Sequence, residues 1–229
     1  SRSRGRSRFL RPGEGCSPRP DDDEKGPGDP RAFPFIEASV TLPKVSFSIR
    51  GGAGRLVREK PMKLASFEAI ATALADAGVR YLVAGGLAVN AHGYLRFTKD
   101  VDIVVQLVPA NVVRAFAALH AIGFRPSVPV TAAEFADPAI RSRWIRDKGM
   151  QVLQFLSDAH RETPVDMFVT EPFDFDEEYS RALIKPLHDQ IEVRFVSAGT
   201  LIRMKSAVGR PQDQLDVENL RIIESDDDR

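Results

Sequence analysis

The segment VAGGLAVNAHGYLRFTKDVDIVV, residues 83–105, constrains the fold more tightly than any other part of the chain. It ends in Ile103-Val104-Val105, the apolar run of a strand about to be buried, preceded by Asp100-Val101-Asp102. Alternate residues of a strand share a face, so Asp100 and Asp102 project together while Val101 and Ile103 enter the core. Aspartate is disfavoured in strands. Two carboxylates this close repel, and desolvating them is costly unless they are neutralised.

A bound divalent cation removes that cost, and carboxylate oxygens suit hard ions such as Mg²⁺. A third carboxylate, Asp166 in PVDMFVT, interrupts another apolar strand. If the two strands are neighbours, three carboxylates can hold two metal ions for an in-line displacement at phosphorus. The competing reading is structural: Asp100 caps the strand start, and Asp102 pairs with Arg96 or Lys99. Upstream, Gly85-Gly86 follows a short strand and opens a helix. Glycine lets the backbone approach a ligand closely, and a helix N-terminus offers free N–H groups to a phosphate. A Gly pair there is also consistent with a plain turn.

The rest of residues 62–229 alternates between helical and strand patterns. A helix is expected through FEAIATALADA, capped by Ser66 and stopped by Gly78, with Ile70, Leu74 and Ala77 on one face. RYLVAG and DVDIVVQL read as strands, and PANVVRAFAALHAIG as a helix with Pro at its start. Thr131 and Glu134 form a capping box ahead of FADPAIRSRWIRDKG. Strands follow at MQVLQFLS, PVDMFVT and IEVRFVS, with an acidic helix, DEEYSRALI, before the last of them. Ser197 caps AGTLIRMKSAVG, and Pro211 starts a final helix. This order predicts an α/β (α+β) domain: a mixed sheet flanked by helices, with a helical C-terminal extension.

Residues 1–61 read differently. Residues 1–33 are rich in Arg, Ser, Pro and Gly and are expected to be disordered. Asp21-Asp22-Asp23-Glu24 spoils a transit-peptide pattern. One strand, KVSFSIR, is expected before a Gly-rich linker. The chain starts at Ser1, and Met62 stands before the first regular helix. Residues 1–61 are therefore expected to be a dispensable or non-native extension of a 62–229 domain. The extension carries 13 of the 32 basic and 8 of the 32 acidic residues, leaving 19 against 24 in residues 62–229, a net −5. That acidity argues against a general electrostatic grip on nucleic acid. No apolar run is long enough to span a membrane. With Cys16 as the single cysteine, a cytoplasmic setting is expected.

The glycines and carboxylates together resemble the signature of the DNA polymerase β-like nucleotidyltransferase superfamily. Ala84-Gly85-Gly86 is followed by thirteen residues and then Asp100-Val101-Asp102-Ile103, with Asp166 as the later carboxylate. The chain is more similar still to the AbiEii-type abortive-infection nucleotidyltransferases, through Arg96, Thr98, Asp100 and Asp102. It shares with them a downstream element carrying Lys205, Arg210, Asp213 and Asp216. The resemblance covers roughly residues 64–223. It implies that Gly85 and Gly86 hold the triphosphate of an NTP and that Asp100, Asp102 and Asp166 bind two Mg²⁺ ions. It further implies that Asp166 helps the incoming hydroxyl lose its proton, and that Lys205 reaches the phosphates, with Arg96, Thr98 and Arg210 at the nucleotide. Gly86 stands where many relatives have Ser, removing one hydroxyl contact.

The expected activity is transfer of a nucleoside monophosphate to a hydroxyl acceptor, either tRNA or another RNA, or a small molecule. A toxin–antitoxin or phage-defence setting with a cognate antitoxin is one biological context. The alternatives are a non-catalytic binding module of the same fold and a metal-dependent nuclease. Several other residues have two readings. Arg96 contacts nucleotide or pairs with Asp100 or Asp102. Trp144 and Phe135 are core or a base-stacking platform. Arg141, Arg143, Arg146 and Lys148 form a solvated face or a surface for an acidic acceptor. His92 is a surface or packing residue, and Asp213 and Asp216 are partners of Arg210 or Lys205.

Overall fold

A computed structural model describes residues 62–188 and 191–227. The expectations for residues 1–61, including the strand at 44–50 and Cys16, lie outside these residues. Seven strands form one mixed sheet in the order β3-β4-β5-β2-β1-β7-β6. They are β1 (Tyr81–Val83), β2 (Val101–Val105), β3 (Phe124–Pro126), β4 (Val152–Ser157), β5 (Val165–Phe168), β6 (Leu183–His188) and β7 (Ile191–Phe195). The β2–β5 and β1–β7 pairs are parallel and the others antiparallel. The expected α/β class with a mixed sheet and a helical C-terminal extension is what the chain adopts.

Helix α1 (Leu64–Asp76) forms because Phe67, Ile70, Ala71 and Leu74 recur at helical spacing, and all four are buried. It packs on α3 (Pro109–Ala121) and β7, while α2 (Gly85–Ala91) packs on β2. α7 (Ala198–Val208) packs against α2 and against α8 (Pro211–Asp227). Val101, Ile103, Val104 and Val105 of β2 are fully buried, as a strand at the centre of the sheet requires.

Several local expectations are corrected. Ser66 does not cap α1; Lys63 occupies that position, and the buried Ser66 hydroxyl instead meets His160 Nδ1 at 2.9 Å. The segment after Thr131 is two helices, α4 (Ala132–Ala136) and α5 (Pro138–Lys148). Pro138 forces the residue before it out of the helical region. Asp137 sits extended there, and its carboxylate accepts from the N–H groups of Ala139 and Ile140. The Thr131–Glu134 capping box is present. Ser197 holds the N-cap position of α7 without a side-chain cap bond. Strands β3 and β6 were not anticipated. They are the two edge strands of the sheet, and Pro126 and Pro186 within them weaken any strand pattern. Asp174 caps the acidic helix α6 (Phe175–Arg181).

Candidate functional site

Asp102 and Asp166 lie directly opposite each other in the parallel β2–β5 pair. The strand neighbourhood that the sequence left open is thus realised, and both carboxylates project on one face. Gln154 of β4 is opposite Asp166 in turn, and its amide donates to Asp166 Oδ1 at 3.1 Å. Asp100 immediately precedes β2. Its carboxylate accepts from the Thr98 hydroxyl at 3.3 Å.

The Gly-Gly turn is built onto this carboxylate face. Gly85 has φ +60°, and a Cβ placed there would sit 1.8 Å from Asp102 Oδ2. A Cβ at Gly86 would sit 2.6 Å from Thr98 Oγ1 and 3.0 Å from Arg96 Nη2. Neither position tolerates a side chain without displacing a polar group of the site. The backbone N–H of Ala84 donates to the Asp102 carbonyl at 2.9 Å, fixing the turn to β2.

The segment 94–99 is not strand, so Arg96 and Thr98 do not reach the site by strand alternation. Arg96 is held there through Asn90, a residue the sequence reading passed over. The Asn90 amide donates to the Arg96 carbonyl at 3.0 Å and accepts from the Arg96 N–H at 2.9 Å. A lone polar residue in the apolar run LAVNA was the available signal.

The Arg96 guanidinium pairs with Asp216, not with Asp100 or Asp102 as the structural reading had it: Nε lies 2.9 Å from Oδ1. Lys205 is buried, with Nζ 2.7 Å from Asp216 Oδ2 and 3.2 Å from Asp213 Oδ1. Asp216 is wholly buried between these two cations, and Gln212 donates to it at 3.0 Å. The contacts at Arg96 Nε and Asp216 Oδ2 are close in distance but poorly aligned as hydrogen bonds. Arg210 is exposed in the α7–α8 turn, where its backbone N–H donates to Asp213.

Burial pushes the Asp102 carboxyl up to about 7, and the neighbouring Asp100 and Asp166 push the same way, against the opposing pull of Lys205 and Arg96. Burial also raises Asp166, opposed by the Gln154 hydrogen bond and reinforced by Asp100. Among the described residues, no three acidic, histidine or cysteine side chains enclose a metal ion as they stand. The donor chemistry nevertheless fits a hard divalent cation: Asp100 and Asp166 raise the proton affinity of Asp102, Asp100 raises that of Asp166, and a cation relieves that repulsion.

Other sequence candidates fall outside this constellation. Phe135 and Trp144 are core, with ring centroids 6.4 Å apart. Arg141 is buried and donates to the Phe135 carbonyl, so it leaves the basic face of α5. Arg146 pairs with Asp147 at 2.8 Å. His92 packs at the end of α2, with Nε2 2.9 Å from the Val196 carbonyl. No helix of the described residues is long and apolar enough to cross a membrane.

No protein-family model and no curated protein matches the chain. Three solved structures similar to it span most of their own length in the comparison. The lincomycin-bound lincosamide antibiotic adenylyltransferase LnuA shares 13% identity at a TM-score of 0.47, covering 72% of this chain and 99% of that one. The antibiotic-resistance factor ANT(2'')-Ia shares 14% identity at 0.44, covering 71% and 83%. An antigenic nucleotidyltransferase-like protein from Paracoccidioides brasiliensis shares 16% identity at 0.41, covering 70% and 74%.

Proposed function

We propose that the chain is a Mg²⁺-dependent nucleotidyltransferase. It would join the α-phosphorus of an NTP to an acceptor hydroxyl oxygen, break the bond to the β-phosphate oxygen, and release pyrophosphate and a proton. The carrying observation is the 1.8 Å approach of a Gly85 Cβ position to Asp102 Oδ2. A turn that must be glycine has been set against a carboxylate, and this brings backbone N–H groups suited to phosphate beside an anion. Two anions side by side are sensible only with a cation between them. Asp100, Asp102 and Asp166 would hold that cation, two ions in the full reading, which when bound supplies charge neutralisation for the phosphate oxygens.

The chain's own residues do the rest. Gly85 and Gly86 let the triphosphate approach the backbone. Thr98 orients Asp100, and Gln154 orients Asp166, which accepts the acceptor's proton. Lys205 and Arg96, gathered on Asp216 within electrostatic reach of Asp102, stabilise charge that develops on the leaving pyrophosphate. Arg210 reaches the nucleotide from the α7–α8 turn. Catalysis is then positioning and charge stabilisation. The acceptor is RNA, with tRNA included, or a small molecule. An AbiEii-type toxin with a cognate antitoxin is the biological setting that the motif resemblance favours.

The test is incubation with Mg²⁺ and each labelled NTP, with and without RNA. Label transfer that disappears in Asp102→Ala supports the proposal. Absence of NTP binding by calorimetry refutes it, and RNA shortening without label indicates a nuclease.

A further inference from the structure

Strand register carries the open face of the sheet well beyond the carboxylates. Asp102, Asp166 and Gln154 are cross-strand neighbours and share a face. Leu156 is two residues beyond Gln154 and shares that face, and Arg125 of β3 is opposite Leu156. Leu156 is 48% exposed despite its apolar side chain, so no element of the described residues covers this part of the sheet. One row of the sheet runs from Asp100 through the level of Pro164 and Leu156 to Arg125. At about 4.8 Å per strand this row is about 14 Å long.

A cavity of about 370 Å³ lies at the Arg125 end of that row, lined by Gly123, Arg125, Leu156, Ser157, His160 and Arg161 among others. Pro164 also lines it, and the Pro164 carbonyl accepts from the Val101 N–H at 2.9 Å, between Asp100 and Asp102. The cavity wall is therefore hydrogen-bonded to the strand that carries the carboxylates.

Its polar groups are arranged for an anion. Arg125 Nη1 is fixed by the His120 and Phe124 carbonyls, each at 2.8 Å. His160 is stacked on Phe124 at 5.3 Å, and its Nδ1 is engaged by Ser66, so the ring is held in place. Ser157 is only 8% exposed, yet its hydroxyl has no hydrogen-bond partner among the described residues. A buried hydroxyl left unpaired is costly. A Cβ at Gly123 would come within 3.3 Å of that oxygen, so glycine keeps the space before it open. Asp158 also lines the cavity and pairs with Arg161 at 3.0 Å, and both side chains are largely exposed, so an incoming anion competes with Asp158 for Arg161.

We propose that this cavity binds a phosphate group of the acceptor, held by Arg125, Arg161 and the Ser157 hydroxyl, with the acceptor's hydroxyl about 12 Å away at Asp166. As the place where the acceptor is held, it rests on the nucleotidyl-transfer reading; as a phosphate site, it stands independently.

The test follows the His160 ring signals by NMR in the full chain during titration with inorganic phosphate, against chloride at equal ionic strength. Saturable shifts are expected in the wild type and in Asp102→Asn. The exposed pair Arg125→Gln/Arg161→Gln should weaken binding about tenfold, the scale of one lost charge-assisted hydrogen bond. Ser157→Ala should weaken it in the same direction. Titration with a sugar phosphate and with a short oligoribonucleotide then assigns the source of the phosphate by which of them binds more tightly through the arginines. Unmoved His160 signals, or shifts identical in the arginine variant, overturn the proposal. Calorimetric NTP binding that depends on Asp102 is a separate readout, so failure at one site is distinguishable from failure at the other.

Discussion

Asp102→Asn should stabilise the metal-free protein. The carboxyl rises from 3.8 to about 7, so between those values the folded state holds a proton that the unfolded state has released. Stability attributable to Asp102 is therefore full below about pH 4, falls as pH rises, and is lost above about 7. At 1.36 kcal/mol for each pH unit, the rise corresponds to about 4 kcal/mol at pH 8. The side chain is half-buried by surface area, and solvent screening reduces that figure to about 1–3 kcal/mol. Asparagine keeps the shape and removes the charge. Urea unfolding in EDTA, run from pH 5 to 8 on both proteins, reads Asp102 together with its coupling to Asp100 and Asp166, because the remote titrations cancel in the difference. The variant should exceed the wild type by about a third of the full difference near pH 5 and by about 1–3 kcal/mol at pH 8. Mg²⁺ should raise the wild-type melting temperature and leave the variant unmoved. A variant that is less stable at pH 8, or a difference that does not grow with pH, refutes the account of three mutually repelling carboxylates.

Gly85→Ala and Gly78→Ala form a matched pair, both at φ +60°, with open space at Gly78 and Asp102 at Gly85. Denaturant unfolding should show about 1–2 kcal/mol lost at Gly78 from backbone strain alone, and a larger loss at Gly85. Asp216→Ala leaves Arg96 and Lys205 without their buried counter-ion and should cost about 3–5 kcal/mol, read by urea unfolding. Glu178 is buried, but bonds from Thr200, Ser197 and Arg181 outweigh that burial and hold its carboxyl below 4.5. Its contribution is present above the unfolded value of 4.5 and is lost as pH falls through the lower folded value. Glu178→Gln should flatten the acid limb of the stability curve, measured by calorimetry.

The sequence made the carboxylate strand legible because Asp within an apolar run conflicts with every local preference except ligand binding. The Gly-Gly turn was legible for the same reason: its conformation is one that other residues resist. What it hid were features decided by tertiary neighbours. Nothing local to Arg96 indicates Asp216, 120 positions later, as its partner. Arg141 reads as one charge of a basic face, and only the folding back of α5 on Phe135 reveals it as buried. Strands β3 and β6 carry prolines and gain their identity from pairing, not from alternation. Ser66 has the chemistry of a cap, but Lys63 precedes it in the first turn and His160 takes its hydroxyl.

The pairing of Asp102 with Asp166 makes the sheet's register a quality check on the site. Their separation is set by the spacing of two adjacent strands and not by any loop. A slip of β5 by one residue would turn Asp166 toward the buried side and bring Met167 or Val165 out to face the solvent with Asp102. Such a molecule would lose the third carboxylate and expose apolar surface in the same step. Activity and correct folding then fail together, so titrating competent sites would count natively registered molecules.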